Sequence, residues 1–243
     1  MRRRDRSQSF DYDVVIVGAG MVGAALALQL SAQTSLTICL LERASMLPDS
    51  AAPNQRVVAL GQQAHKVLSE LEVFQLLGES HAFPYQSMYV WDAGSHGELQ
   101  FAADDVNEPQ LGFMVDAIRC NYLLQQQCIA DPNIECRFDT RLNAIENTAE
   151  AARLDTDQGH MRARLVVAAD GANSWVRRQA RIFTNQLDYQ QSGIVTRIVS
   201  EIPHLACAWH RFLVSGSLAF LPLDFLQCSF FWSVDCCDLT SLM

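Results

Sequence analysis

The chain has 243 residues, of which 49% are hydrophobic and 19% charged, a composition typical of a globular protein rather than a disordered one. Its formal net charge of −9 argues against nucleic-acid binding, because neutralising phosphate groups requires a basic surface. No stretch approaches the ~20 apolar residues that a membrane helix needs, so we expect a cytoplasmic protein.

The first predicted elements form a compact βαβ unit. Residues 13–17 and 37–41 are short and almost wholly apolar, as expected of strands that a parallel sheet buries on both faces. Between them, residues 24–30 predict a helix whose small side chains permit close packing on the sheet.

A glycine motif links the first strand to this helix. Gly18 permits a tight turn, Gly20 lets the backbone approach a pyrophosphate, and Gly23 allows the helix to pack closely on the sheet. Glu42, 24 positions after Gly18, suits hydrogen bonds to the ribose hydroxyls of an adenosine. The βαβ unit therefore predicts a dinucleotide site formed by Gly18, Gly20, Met21, Val22, Gly23, Glu42 and Arg43.

The motif leaves two questions open. A glycine-rich turn in a non-binding α/β protein, with Glu42 as a surface carboxylate, is the alternative interpretation. The motif also does not distinguish FAD from NAD, although the Glu42 carboxylate would repel the 2′-phosphate of NADP.

The following elements alternate between helices and strands, and after residue 178 only strands are predicted. Before that point we predict helices at residues 62–77, with Gly78 as C-cap, and 119–130. Strands are predicted at residues 87–92, 98–101, 134–138, 142–146, 152–156 and 161–167. After it, strands at residues 192–199, 208–212, 218–221 and 228–233 predict a largely antiparallel block.

The eight cysteines show no CxxC spacing, so we predict reduced, mostly buried thiols and no metal site. Cys236 and Cys237 are adjacent, which leaves a redox or metal pair as the alternative. No histidine or second cysteine pair accompanies them.

Residues 163–177 carry a more specific pattern. An apolar run ends in Asp170-Gly171 and enters a turn and a helix that carries arginines. This resembles the second conserved motif of the p-hydroxybenzoate-hydroxylase-type flavoprotein monooxygenases, which implies that Asp170 and Gly171 border the FAD pyrophosphate and take part in nicotinamide-cofactor binding. The residues alone predict Asp170 as an N-cap or Asx-turn residue and Gly171 at positive φ.

Three further stretches resemble the ubiquinone-biosynthesis hydroxylases in particular. They are residues 56–60, residues 112–116 with Arg119 and Leu123, and the strands between residues 212 and 233. The resemblance implies that Arg56 lies near the flavin and that Arg119 belongs to the cofactor-binding set, while Asp116 stands where the family usually has glutamate. The alternative for both arginines is a solvated or salt-bridged surface position.

The resemblance implies an α/β fold in which a Rossmann-like FAD-binding βαβ layer is interwoven with a mainly antiparallel β-sheet substrate layer. The expected division is residues 1–80 and 112–180 for FAD binding, residues 81–111 for a substrate-layer hairpin, and residues 181–243 for substrate-layer strands. Trp91 and Trp209 are candidates for an aromatic substrate pocket, with ordinary packing as the alternative.

The implied activity is hydroxylation of the aromatic ring of a polyprenylated phenol in ubiquinone biosynthesis, with FAD, O₂ and NAD(P)H as transient co-substrate. A ubiquinone-biosynthesis protein complex and peripheral contact at the inner membrane are implied as partners, and no catalytic side chain is predicted. We expect the chain to be truncated before the family's third motif, so an inactive remnant or interaction partner is one alternative. An NAD-dependent dehydrogenase is the other.

Overall fold

The chain alternates between two units and crosses from one to the other three times. The computed structural model describes residues 10–49, 55–148 and 150–237. The first unit comprises residues 1–49 and 121–184, and the second comprises residues 50–120 and 185–243. Each unit is therefore built from two separate segments of the chain.

The first unit is built on a six-stranded sheet. Its strands are β1 (Tyr12–Val17), β2 (Ile38–Leu41), β8 (Ile134–Arg137), β9 (Leu142–Asn147), β10 (Ala152–Thr156) and β11 (Gly159–Ala168), in the order β8-β2-β1-β11-β10-β9. Its helices are α1 (Met21–Gln33), α5 (Trp175–Gln179) and the part of α4 (Ala117–Ala130) from Asn121 onward. The first four strands in this order are parallel, whereas β11, β10 and β9 form an antiparallel meander.

The apolar character of β1 follows from its position in this sheet. β1 pairs in parallel with β2 on one side and β11 on the other, so that Val15 lies between Cys39 and Val166. Val15 and Ile16 are both fully buried. A strand that is covered on both faces has no solvent side on which to place polar residues, which explains the continuous apolar run.

The second unit contains two sheets. Strands β5 (Ser87–Asp92), β6 (Glu98–Ala102), β12 (Gln191–Val199), β13 (Cys207–Leu213), β14 (Gly216–Pro222) and β15 (Gln227–Asp235) pair in the order β12-β15-β14-β13-β5-β6. All neighbours are antiparallel except β13 and β5. Strands β3 (Val57–Gly61), β4 (Ala82–Tyr85) and β7 (Gly112–Asp116) form an antiparallel three-stranded sheet. The helices are α2 (Gln62–Glu70), α3 (Val73–Leu77) and a short 3-10 helix, Ala103–Val106.

The predicted fold class is confirmed, and most predicted elements are found within a few residues of their expected bounds. The single helix predicted at residues 62–77 is wrong: α2 ends at Glu70, and Glu72 takes a left-handed φ of 58° before α3 begins. The predicted C-cap is confirmed, since Gly78 follows α3 with a φ of 71°.

The three-stranded sheet was not predicted. Short apolar runs such as β3 and β7 carry no periodicity that separates a strand from a buried helix segment. Residues 50–80 and 112–120, which we expected in the FAD-binding parts, lie in the second unit. The functional assignment of each segment stays a prediction. In the described part of the chain, no helix is long and apolar enough to span a membrane.

Candidate dinucleotide-binding site

Gly18 directly follows β1, between the ends of the two neighbouring strands, β2 and β11. Its φ is 106°, and a Cβ built on it would lie 2.4 Å from the carbonyl oxygen of Ala169. The Gly18 N–H donates to the Leu41 carbonyl at 2.7 Å, and the Ala169 N–H donates to the Val17 carbonyl at 2.8 Å. The carboxyl ends of β1, β2 and β11 therefore meet at Gly18, and a side chain there has neither room nor a favourable backbone conformation.

The other two glycines of the motif differ in what surrounds them. A Cβ on Gly23 would lie 2.0 Å from the Gly18 carbonyl oxygen and 3.2 Å from the Ala169 Cβ, so α1 packs directly on the turn. A Cβ on Gly20 would meet no atom within 4 Å. Gly23 is therefore required for packing, whereas Gly20 leaves open space at the site.

The first turn of α1 is suited to an anion. Gly20 is the N-cap, no side chain caps the helix, and the first turn contains no acidic residue. N–H groups at a helix start have no intrahelical partner and carry the positive end of the helix dipole. This end of α1 can therefore bind phosphate through its backbone.

Glu42 lies at the end of β2 and is half-buried. Its Oε2 accepts a hydrogen bond from the Ala19 N–H at 2.8 Å, and its Oε1 accepts one from the Ala44 N–H at 2.9 Å. Each carboxylate oxygen has a second lone pair, so the group can also accept from ribose hydroxyls. The carboxylate is thus held in place by the loops on either side of it.

Asp170 organises the turn after β11. Its carboxylate accepts from the Trp175 N–H at 2.7 Å, from the Val176 N–H at 3.1 Å and from the Ser174 hydroxyl. Burial works to raise the pKa of Asp170, but these hydrogen bonds outweigh it and hold the pKa below its usual value. The N-cap of α5 is Ser174 rather than Asp170, although Asp170 satisfies two N–H groups of the first turn. Gly171 has a φ of 88°, which confirms the predicted positive φ.

These residues surround one cavity of about 660 Å³ in the first unit. Of the predicted site residues, those that line it are Gly18, Gly20, Glu42, Arg43, Asp170 and Gly171. Met21 and Val22 form the first turn of α1, and Gly23 lies behind the glycine turn. A cavity of this size is typical of small-molecule sites.

Nine of the described residues that line the cavity, and Gln125 in α4, were not predicted as site residues. Arg141, Trp175 and Arg178 line the cavity, and Gln125 contacts the glycine loop from α4. Gln125 is the first of three consecutive glutamines, and the sequence does not distinguish it from Gln126, which is exposed. Arg141 lies in a loop and Arg178 near the end of α5, where sequence spacing does not predict which way a side chain points.

Arg56 and Arg119 lie in the second unit, at one end of the β3–β7 pair. Val57 is opposite Asp116, and the Ala117 N–H donates to the Arg56 carbonyl at 3.0 Å. Asp116 is 2% exposed, and its Oδ1 accepts from the Ile118 and Arg119 N–H groups at 3.0 and 3.1 Å. Asp116 therefore caps α4 and places the Arg119 backbone. The proximity of Arg56 to a flavin stays a prediction.

The two tryptophans proposed for a substrate pocket and the cysteines are found in packed or exposed positions. The rings of Trp91 and Trp209 lie 6.1 Å apart and both contact Tyr89, with centroid distances of 5.5 and 5.4 Å. This aromatic packing joins β5 to β13. Five of the eight cysteines are buried, whereas Cys236 and Cys237 are exposed. Burial raises the pKa of Cys39 and Cys120 to about 12, so both thiols stay protonated at neutral pH.

The model of the FAD binding domain family matches residues 11–201. The 3-demethoxyubiquinol 3-hydroxylase of Escherichia coli (strain K12) is 32% identical over 223 residues, covering 90% of this chain and 56% of that protein. The ubiquinone hydroxylase UbiL of Rhodospirillum rubrum is 31% identical over 229 residues, covering 91% of this chain and 51% of that protein. The chain thus spans about half the length of the curated relatives that it matches.

Solved structures share the fold. PqsL of Pseudomonas aeruginosa, in complex with 2-aminobenzoylacetate, has a TM-score of 0.78 at 21% identity and covers 96% of this chain and 63% of that one. The p-nitrophenol 4-monooxygenase PnpA of Pseudomonas putida has a TM-score of 0.72 at 18% identity, covering 92% and 57%. At these identities the likeness concerns the fold alone.

Proposed function

The chain belongs to the FAD-binding-domain family of FAD-dependent monooxygenases, and on this premise we propose that it carries the FAD-binding part of a hydroxylase that acts in ubiquinone biosynthesis. The observation that supports this most directly is the cavity of the first unit, where the glycine turn, Glu42 and Asp170-Gly171 lie together. The family match decides in favour of FAD the question that the glycine motif left open.

The residues of this cavity fit the adenosine diphosphate part of FAD. The start of α1 would bind the pyrophosphate, with Gly20 providing space for its close approach. Glu42 would accept hydrogen bonds from the ribose hydroxyls, and Arg43 lies beside it on the cavity wall. Asp170 and Gly171 would border the pyrophosphate from the end of β11.

FAD, when bound, supplies the redox chemistry that couples NAD(P)H oxidation to insertion of an oxygen atom from O₂ into a phenol ring. The chain itself would bind and orient the cofactor, and no side chain is assigned as an acid, base or nucleophile. The sequence contains one dinucleotide motif, which supports transient docking of the nicotinamide nucleotide. The roles that the resemblance implies for Arg56, near the flavin, and for Arg119, in the cofactor-binding set, remain part of the proposal.

A polyprenylated phenol is the proposed substrate. Its support is similarity to two proteins named as a ubiquinone hydroxylase and a demethoxyubiquinol hydroxylase. A prenyl tail of this kind partitions into lipid, so peripheral contact at the inner membrane and association with other proteins of the pathway are part of the proposal.

The first test is the flavin content of the purified 243-residue chain. The protein is incubated with FAD, passed through gel filtration and examined by its visible absorption spectrum, with NAD as the control nucleotide. Near-stoichiometric flavin supports the proposal and makes NAD(P)H oxidation with phenolic substrates the next assay. A colourless but folded protein, as judged by circular dichroism, would contradict it.

A further inference from the structure

Gln125 is a polar side chain in a buried position of α4, with 3% of its surface exposed. Its Nε2 donates to the Ala19 carbonyl oxygen at 2.8 Å. Its Oε1 accepts from the Leu47 N–H at 3.0 Å. Both ends of one buried amide are therefore bonded to the backbone, in two different loops.

These two loops frame the dinucleotide cavity. Ala19 lies between Gly18 and Gly20, and Leu47 lies in the segment that follows Glu42 and Arg43. Ala19 is bonded on both sides, because its N–H donates to Glu42 Oε2 at 2.8 Å while its carbonyl accepts from Gln125. We infer that Gln125 is a positioning residue that sets the glycine loop and the loop after β2 in the geometry required for the pyrophosphate and adenosine of FAD.

The physical link to the cofactor is the peptide bond between Ala19 and Gly20. A trans peptide is planar, and its C=O and N–H point in opposite directions. The described residues contain no cis peptide. Because Gln125 holds the Ala19 carbonyl on the α4 side, the Gly20 N–H is directed to the opposite side of the loop, where Gly20 lines the cavity. Losing the Gln125 hydrogen bond lets this peptide plane rotate and removes a fixed donor from the phosphate.

The inference rests on the proposed FAD site and assigns a role that neither the glycine motif nor the Asp170-Gly171 motif contains. A purely structural role for Gln125 is the competing explanation. Cys128 provides the matched control: it lies one turn further along α4, is fully buried and donates from Sγ to the Ala24 carbonyl of α1 at 3.4 Å. Cys128→Ala therefore weakens the α4–α1 packing without touching the glycine loop.

The test compares Gln125→Met, which keeps the length of the side chain but removes both hydrogen bonds, with Cys128→Ala and the wild type. Dissociation constants are measured by titration with FAD and with ADP, which is the part of FAD that these loops would hold. The titrations are done at a temperature below the thermal unfolding midpoint of every variant. We expect Gln125→Met to weaken both ligands by about tenfold or more, as for loss of an aligned hydrogen bond to a charged group. Cys128→Ala should stay within about twofold of the wild type at a similar loss of thermal stability.

A further variant and a hydrogen-exchange measurement test the positioning role independently. Gln125→Glu keeps the acceptor for Leu47 and replaces only the donor facing Ala19, so it should weaken FAD binding at least as much as Gln125→Met. Hydrogen exchange on the unaltered protein needs no variant: FAD should slow exchange at Gly20 and leave the Leu47 amide, already bonded to Gln125, unchanged.

Each outcome decides one point. Wild-type binding combined with equal affinities for Gln125→Met and Cys128→Ala would overturn the positioning role and leave the proposed function intact. Unchanged exchange at Gly20 on FAD binding would overturn it as well. A wild-type chain that binds neither FAD nor ADP would refute the proposed function, and this inference with it.

Discussion

Replacing Gly20 by alanine should weaken FAD binding and leave the fold intact. A Cβ at this position meets no atom within 4 Å, and the φ of −69° is accessible to any residue. Alanine is a poorer N-cap than glycine by up to about 1 kcal/mol, and a less flexible unfolded chain offsets about 0.4–1 kcal/mol of this loss. The free energy of unfolding should therefore change by less than about 1 kcal/mol.

The effect on the cofactor should be larger. The added methyl group occupies the space in which we place the pyrophosphate, so at least one charge-assisted hydrogen bond from the loop is lengthened or lost. Such a bond contributes about 1.5–3 kcal/mol, which corresponds to a rise of roughly 10- to 150-fold in the dissociation constant.

Replacing Gly23 by alanine is the matched comparison within the same motif. Here the Cβ would lie 2.0 Å from the Gly18 carbonyl oxygen, and Gly18 cannot retreat because it is itself packed against Ala169. Overpacking of this kind costs about 1–3 kcal/mol or more. Gly23→Ala should therefore lower the unfolding midpoint by several degrees even without FAD.

The two variants are assayed by thermal unfolding without ligand and by flavin fluorescence titration. The reasoning requires that Gly20→Ala and Gly23→Ala separate: the first changes affinity at nearly constant stability, and the second changes stability. If Gly20→Ala bound FAD as tightly as the wild type, the proposed position of the pyrophosphate would be wrong. If Gly23→Ala were as stable as the wild type, the packing of α1 on the turn would not be as described.

Three further predictions concern carboxylates. The pKa of Asp170 is held below its usual value, so its hydrogen bonds stabilise the fold above the ordinary aspartate pKa of about 3.9, and this contribution is lost as pH falls through the folded value. The stability of the wild type should therefore fall as the pH drops through the folded pKa of Asp170. Asp170→Asn should be less stable at pH 7, and its free energy of unfolding should depend less on pH in the acid range. An equal pH dependence in the two proteins would refute this. Glu42→Gln leaves one of two loop N–H groups facing an amide NH₂ and should weaken FAD binding by about tenfold, measured by calorimetry; unchanged affinity would place the ribose elsewhere. Asp116→Ala removes the cap of α4 and the partner of buried His81, 3.4 Å away, and should cost about 2–4 kcal/mol in urea unfolding; a loss below about 0.5 kcal/mol would contradict the capping role.

The strand, glycine turn and helix at the candidate site were predictable because they follow one another in the sequence. The three elements lie within residues 12–33, and this order is the local pattern of a dinucleotide motif. Asp170-Gly171 was predictable in the same way, since a strand, a turn and a helix again follow in sequence. The correct part of these predictions concerns backbone conformation and the order of elements.

The errors lie where distant contacts decide the outcome. Residues 62–77 have helical spacing throughout, yet the helix is interrupted at Glu72. The short strands β3 and β7 exist because residues 57–61 pair with residues 112–116. Because the partner strand is more than 50 positions away, neither segment alone shows a sequence periodicity that identifies it as a strand. Strand identity there depends on the partner rather than on the segment itself.

The sequence by itself determined the α/β class, the glycine turn, the acidic residue after β2 and the Asp-Gly turn, because each depends on residues close together in the chain. Only the tertiary structure decided that Gly18 packs against Ala169 and that Gln125 bonds the two loops around the cavity. The physical reason is that a hydrogen bond from a helix over 100 positions away depends on how the helix packs, and no local pattern specifies that.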